Sequence, residues 1–355
     1  VVSYIAPQAK LLHHSDRLAL LQRGEMPAPI NIEIDLSNRC SLGCEFCHFA
    51  YTHTKGPWAK RAAKLKDAVP GGDLMSRDLA RRMLREFKQA GVLSVTWTGG
   101  GEPTLHPDFD AILVDTVLAG LEQGVYTHGG HVDSTRAEVM KTMCEFVYVS
   151  LDAADRQTYK QLKVADRFDA ACQGITNLAK ADGKATIGVG FLITKDNWRE
   201  AFRMRELALD LGADYCQFRP TIYYDHDEPG KLVEDTAWLR FATYFLETLK
   251  ALPGVELDLH RFKRYADWSG HGYTHCYWAA LQSVVTPNGK MWTCVNKREH
   301  PAELLGDLSE ESFSEIWARH SVPRVNENCR LLCRGDVANQ TLSQVMQPVK
   351  HAAFP

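Results

Sequence analysis

No stretch of this sequence approaches the run of about 18 consecutive apolar residues that crosses a membrane. The first twenty residues carry charges where a secretory signal needs an apolar block. Both absences predict a cytoplasmic protein with no membrane partner. A large charge of one sign is missing too: 41 Lys+Arg stand against 44 Asp+Glu, a formal net charge of −3, which excludes a globally basic coat for nucleic acid. Low-complexity tracts are absent. With 45% hydrophobic and 24% charged residues, the chain can bury a large core and is not a disordered one. It begins at Val1 rather than Met, as a trimmed or processed end would.

Cysteine is sparse, ten residues in 355, too few for a disulfide scaffold. Their positions carry the information. Cys40, Cys44 and Cys47 form C-x3-C-x2-C near the start, and Cys276, Cys294, Cys329 and Cys333 lie in the last quarter. Cys144, Cys172 and Cys216 sit in apolar contexts and are expected to be packing residues.

Between the two groups, short β-rich runs alternate with amphipathic helical stretches. The pattern predicts strands near 30–36, 93–98, 124–127, 146–151, 186–194 and 215–219. Helices are expected near 76–90, 109–122, 135–143, 154–162, 168–181 and 197–211, and a longer one near 234–252. Six parallel strands joined by right-handed crossovers make an α/β fold: a partial (βα)6 TIM-like barrel, too short to close as eight strands would. Residues 1–29 are read as an N-terminal extension, 30–252 as the barrel, 253–340 as a small α+β extension and 341–355 as a tail. The ligand site of such a sheet lies at the carboxyl ends of its strands. There the sequence puts Cys40–Cys47, Gly99–Pro103, Ser150, Asp152 and Arg219.

Three thiolates within eight residues can wrap one metal centre. A zinc site would take a fourth ligand, nominally His48, although adjacent ligands such as Cys47 and His48 rarely converge. A four-iron cluster would take one thiolate per iron and leave one iron open.

Cys40-Ser41-Leu42-Gly43-Cys44-Glu45-Phe46-Cys47 resembles the signature of the radical S-adenosylmethionine (SAM) family, including the aromatic residue before the last cysteine. Gly99-Gly100-Gly101-Glu102-Pro103 after the second strand resembles the family's GGE motif, which contacts the SAM amino group. The resemblance implies a [4Fe-4S] cluster on Cys40, Cys44 and Cys47 whose open iron chelates SAM. Reductive cleavage of SAM then gives a 5′-deoxyadenosyl radical that abstracts a substrate hydrogen. It further assigns SAM contacts to Phe46, Gly99, Gly100, Gly101, Glu102, Ser150, Asp152 and Arg219, although Asp152 could instead cap the following helix. A reducing partner such as flavodoxin or ferredoxin is implied. His128 departs from the family's usual Thr-Asn-Gly at its position and is either a substrate residue or a turn residue.

Cys276 and Cys294 bracket Gly289 as C-x12-G-x4-C, and Cys329 and Cys333 follow. Pro287-Asn288-Gly289-Lys290 reads as a hairpin turn. Four cysteines could hold a structural zinc, but the arrangement is similar to the SPASM extension or its shorter twitch form, implying one auxiliary [4Fe-4S] cluster.

About thirty residues precede the first strand, which disfavours a leader-binding domain and hence a peptide-modifying, SPASM-type maturase. The basic insert with Lys55, Lys60, Arg61, Lys64 and Lys66, near Tyr51, His53 and Trp58, suggests phosphate contacts. A second basic run, His260 to Arg264, adds to that reading. The expected substrate is a small molecule, a nucleotide or a base in nucleic acid, which is oxidised or rearranged. Tyr223, Tyr224, His226 and His128 are candidates for proton handling. The competing class is a zinc-stabilised nucleic-acid-binding protein, against which Gly99–Pro103 speaks.

Overall fold

The computed structural model describes residue 4 and residues 7–47, 74–221, 237–267, 270–298, 300–326, 329 and 333–348. The barrel strands are β1 (Asn31–Asp35), β2 (Ser94–Thr98), β3 (Glu122–Thr127), β4 (Phe146–Ser150), β5 (Thr186–Ile193), β6 (Tyr215–Pro220) and β7 (Val255–Leu257), all parallel. Two short helices precede them, α1 (Pro7–Leu12) and α2 (Ser15–Gln22). The crossovers carry α3 (Arg77–Gln89), α4 (Phe109–Leu118), α5 (Ser134–Met143), α6 (Arg156–Lys163), α7 (Phe168–Lys180), α8 (Ala201–Asp210) and α9 (Trp238–Lys250). After β7 come α10 (Leu259–Ala266), then β8 (Gln282–Val285), β9 (Lys290–Trp292), β10 (Leu304–Asp307), α11 (Phe313–Ala318) and α12 (Asp336–Val345).

Period-2 alternation decides which face of each strand is buried. Ile32, Ile34, Val95, Trp97, Val125, Val147, Val149, Ile187, Val189 and Phe218 join one core with the covering helices. The alternate positions form the inner face, and these are polar, aromatic or glycine: Asn31, Glu33 and Asp35 on β1, Ser94 and Thr96 on β2, Tyr126 and Tyr148 on β3 and β4, Gly188 and Gly190 on β5, Tyr215, Gln217 and Arg219 on β6. Asn31 Nδ2 bonds across it to Ser94 Oγ (2.9 Å) and Thr96 Oγ1 (3.0 Å).

The six expected strands and the open α/β sheet are all present, and the hairpin at Asn288-Gly289 joins β8 to β9. The sheet is longer than read, because the sequence pattern missed two extensions. β7 adds a seventh strand just past residue 252, the expected end of the barrel. At the other end β8 pairs in parallel with β1 (Asn31↔Gln282 to Ile34↔Val285), so the extension continues the barrel sheet in the order β10-β9-β8-β1-β2-β3-β4-β5-β6-β7. The helix expected to reach Glu122 stops at Leu118, because Glu122 N bonds Leu93 O (3.1 Å) as the first rung of β3. The helix expected from Asn197 begins regularly only at Ala201, since the Asn197 side chain is bound to Thr194 N (2.7 Å), Leu192 O (2.9 Å) and Asp152 O (3.0 Å).

The second basic run lies on α10, where Arg264 pairs with Asp336, Lys263 with Glu247 (3.3 Å), and Arg261 Nε bonds Tyr265 Oη (2.9 Å). The basic insert with Lys55, Lys60, Arg61, Lys64 and Lys66, and Tyr223, Tyr224 and His226, lie outside the described residues, as does His48. Cys144 and Cys216 are buried in the core and Cys172 packs against it, as expected. Among the described residues no helix is long and apolar enough to cross a membrane.

Candidate active site

β1 delivers the chain to the first cysteine group. The loop after it is tied down by backbone bonds from Gly43 N to Lys163 O (2.9 Å) and Glu45 N to Leu162 O (3.0 Å), so α6 fixes where the thiols lie. Cys40, Cys44 and Cys47 are half-buried. Burial, with the neighbouring Cys44 next, pushes the Cys40 thiol well up, and Leu42 N points at its sulfur (3.5 Å). Burial also raises Cys44, against the attraction of Lys163. Thiolates crowded together out of water need a bound cation, and amide donors aimed at sulfur suit an iron–sulfur cluster.

The glycine loop after β2 is stitched to this segment. Gly101 N bonds Ser37 O (2.9 Å) and Glu102 N bonds Arg39 O (2.7 Å). A side chain at 101 is impossible, since its Cβ would stand 2.2 Å from Arg39 O.

Glu102 is buried and its carboxylate is saturated. Oε1 accepts from Thr104 Oγ1 (2.5 Å), Thr127 Oγ1 (2.6 Å) and Thr104 N (3.2 Å), and Oε2 from His128 N (2.8 Å). Burial would raise its pKa, but His128 and these bonds outweigh it and leave it lowered, so the group is ionised.

His128 takes neither expected role alone. Its Nδ1 accepts from Gly130 N (3.0 Å), which sets the turn and places the proton of the neutral ring on Nε2. Nε2 then faces Ser41 Oγ (3.1 Å), which also meets His131 Nε2 (3.1 Å). Burial lowers the pKa of both histidines. Ser41 and His131 were not singled out from the sequence; the only signal was the position of Ser41 inside the cysteine motif.

Ser150 ends β4 as expected. Asp152 does not cap the next helix; Asp155 does, accepting from Thr158 N (2.9 Å). Asp152 is buried at φ +62°, a conformation an L-residue adopts at a cost. Its carboxylate accepts Leu192 N (2.7 Å) on one oxygen and the Lys163 ammonium on the other. Lys163, the last residue of α6, also reaches Ser150 O (3.2 Å) and stands 5.2 Å from the Phe46 ring centroid. Burial would depress its pKa, but Asp152 and Cys44 outweigh that, so it stays cationic. Nothing in the sequence marked Lys163, which reads as the solvent end of an amphipathic helix. Arg219 ends β6 on the inner face.

Cys276, Cys294, Cys329 and Cys333 come together around one partly open cavity. Burial raises the thiol of Cys294 to about 12, and pushes Cys276 and Cys333 up as well. Gly335 N (3.3 Å) and Asn296 Nδ2 (3.5 Å) point at Cys333 Sγ, and Asn326 N (3.5 Å) at Cys329 Sγ. Among the described residues no three His, Cys, Asp or Glu side chains are arranged to hold a single ion. Four sulfurs around a cavity suit a cluster better than a zinc drawn to one point.

A family model described as the radical SAM superfamily matches residues 34–208, and one described as an iron–sulfur cluster-binding domain, SPASM, matches residues 276–335. The chain belongs to the radical SAM superfamily. As a radical SAM enzyme it uses SAM and a [4Fe-4S] cluster, with an auxiliary iron–sulfur cluster in the SPASM extension. It is similar to a probable GTP 3′,8-cyclase of Saccharolobus solfataricus, 26% identical over 310 residues that span 81% of this chain and 91% of the relative. A second probable GTP 3′,8-cyclase, of Metallosphaera sedula, is 29% identical over 185 residues, 52% of this chain and 53% of the relative. In fold it is similar to Streptococcus suis SuiB bound to S-adenosylmethionine (TM-score 0.63, 17% identity, 87% of this chain and 70% of that one). It is also similar to anSMEcpe with bound AdoMet (TM-score 0.58, 15% identity, 81% and 80%).

Proposed function

We propose that this radical SAM enzyme acts on a small nucleotide held in the mouth of the open barrel, between the two cysteine groups. The observation that carries this reading is the likeness to proteins named probable GTP 3′,8-cyclase across four-fifths of the chain. The polar, aromatic inner face of the sheet supports it. The likeness to SuiB and anSMEcpe is one of fold and names no substrate here.

Cys40, Cys44 and Cys47 would hold the SAM-binding cluster, and Cys276, Cys294, Cys329 and Cys333 the auxiliary one. Bound together, the first cluster and SAM supply a radical able to remove hydrogen from an unactivated C–H bond. The chain's own residues do the rest. The Gly99–Gly101 backbone and Ser150 would contact SAM with Phe46 beside them, while Glu102 acts from behind. Saturated by four donors, its carboxylate locks Thr127 and the His128 amide and so fixes the turn facing the cysteine loop. Lys163, clamped by Asp152, keeps a fixed positive charge beside Cys44. The His128–Ser41–His131 hydrogen bonds hold both rings against the cysteine loop.

The test is the rate of 5′-deoxyadenosine release by anaerobically reconstituted enzyme with SAM and a reductant, with and without GTP, ATP, CTP or UTP. Stimulation by one nucleotide, with deuterium passing from labelled nucleotide to deoxyadenosine, is expected. Equal release with and without all four would overturn the nucleotide reading.

A further inference from the structure

The inner face of the barrel carries two polar groups that the site described above does not use. Arg219 lies over Tyr148, its guanidinium carbon 5.0 Å from the ring centroid. Tyr148 tilts against Tyr126 at 4.8 Å between centroids. The ring fits because β5 offers a glycine opposite it: a Cβ at position 190 would stand 2.3 Å from Tyr148 Oη. Tyr148 is 1% exposed, and its hydroxyl has no hydrogen-bond partner. Nε of Arg219 is buried without a partner as well, and among the described residues Arg219 makes no hydrogen bond or ion pair.

Nε of Arg219 and the Tyr148 hydroxyl, both buried without a partner on this face, are costly, because each has given up water for nothing. Burial pushes the Tyr148 hydroxyl well above its ordinary value, so it keeps its proton and donates. Arg219 stays charged, burial being outweighed by Tyr148, Tyr126 and Asp152. Both groups are therefore donors, and what satisfies two donors, one of them cationic, is an anionic acceptor. Asp152, which also acts on Arg219, is already committed to Lys163 and Leu192 N.

We propose that Arg219 and Tyr148 form an oxyanion subsite in the barrel interior that takes the phosphate or carboxylate group of the substrate. This departs from the assignment of Arg219 to SAM that the family resemblance implies. The cation beside the cysteine loop is Lys163, which acts on Cys44; Arg219 lies over the Tyr148 ring. The subsite rests on the reading that the substrate enters the barrel mouth, and it does not require that substrate to be a nucleotide.

The test is anaerobic calorimetric titration of the cluster-loaded full chain with tripolyphosphate, succinate, GTP and SAM, for wild type, Arg219→Gln, Arg219→Lys and Tyr148→Phe. Wild type is expected to bind at least one of the two simple anions. Arg219→Gln should weaken that binding about tenfold or more, the scale of a lost charge-assisted bond, and leave SAM affinity within about twofold. Arg219→Lys, which keeps the charge, and Tyr148→Phe, which keeps the ring, should each lose less. They also serve if Arg219→Gln fails to fold. Loss of SAM binding with anion binding unchanged overturns the proposal and returns Arg219 to SAM. GTP bound equally by wild type and Arg219→Gln sinks the subsite and spares the nucleotide reading. Arg219-dependent binding no tighter for GTP than for tripolyphosphate sustains the subsite and speaks against GTP as the substrate. Wild type that binds neither anion nor GTP overturns both.

Discussion

Arg298, four residues past Cys294, donates to the carboxylate of Asp35, five residues before Cys40, and both side chains are buried. A second pair, Arg334 to Glu33, joins the residue after Cys333 to the same strand. The strand that leads to the SAM cysteines is thus held by two arginines that flank the auxiliary cysteines.

Breaking the Asp35–Arg298 pair from one side leaves a buried charge uncompensated. Arg298→Met is expected to cost about 3–5 kcal/mol of folding stability, and Asp35→Asn with Arg298→Met together should recover most of it. Urea unfolding of the single and double variants measures both. Full additivity of the two losses would show that the residues do not act as a pair.

Lys163 balances Asp152 beneath the first cysteine loop. Lys163→Met should destabilise the fold by about 3–5 kcal/mol, while Lys163→Arg keeps the charge and costs less. SAM affinity measured in parallel should fall with Lys163→Met, because the loop carrying Cys44 hangs on the Leu162 and Lys163 carbonyls. An unchanged melting curve would mean that the pair is solvated.

Iron content separates the two cysteine groups. Wild type should carry about eight irons per chain after anaerobic reconstitution, and Cys44→Ala and Cys294→Ala about four each, following one thiolate per iron. SAM cleavage should vanish in the first variant. Stoichiometric zinc in wild type would contradict both assignments.

Acid should weaken the fold before carboxylates titrate. His128 and His320 have pKa values lowered by burial from the ordinary 6.5, so below about pH 6.5 the unfolded chain binds protons that the folded chain refuses. Their contribution is complete above that pH and is lost as pH falls, with a limiting slope of about 1.4 kcal/mol per pH unit for each histidine. Unfolding midpoints from pH 8 to pH 5.5 should decline, and His320→Phe, at a ring tilted against Trp317 with centroids 4.8 Å apart, should flatten the decline. Midpoints that stay level across the range would show that both rings bind protons equally in the folded and unfolded chain.

The strands and helices of the barrel were legible because a buried parallel strand writes its alternation into a few consecutive residues, as in Val147, Tyr148 and Val149. The cysteine motif was legible for the same reason: its three sulfurs fall within eight consecutive residues, although α6 fixes where they lie. β7 was missed because three residues carry too little pattern, and its pairing with β6 supplies what its own sequence lacks.

By itself, then, the sequence determined the two cysteine groups, the βα order and the open sheet, all of which follow from local spacing and periodicity. Only the tertiary structure decided what those parts do to each other. The fusion of β8 onto β1, the burial of Lys163 against Asp152 and the reach of Arg298 to Asp35 bring together residues far apart in the chain or hidden in polar helix ends. The same is true of Arg219 over Tyr148, seventy-one positions apart. A charge looks alike in a sequence whether it ends in water or in a core, and the packing around it makes the difference.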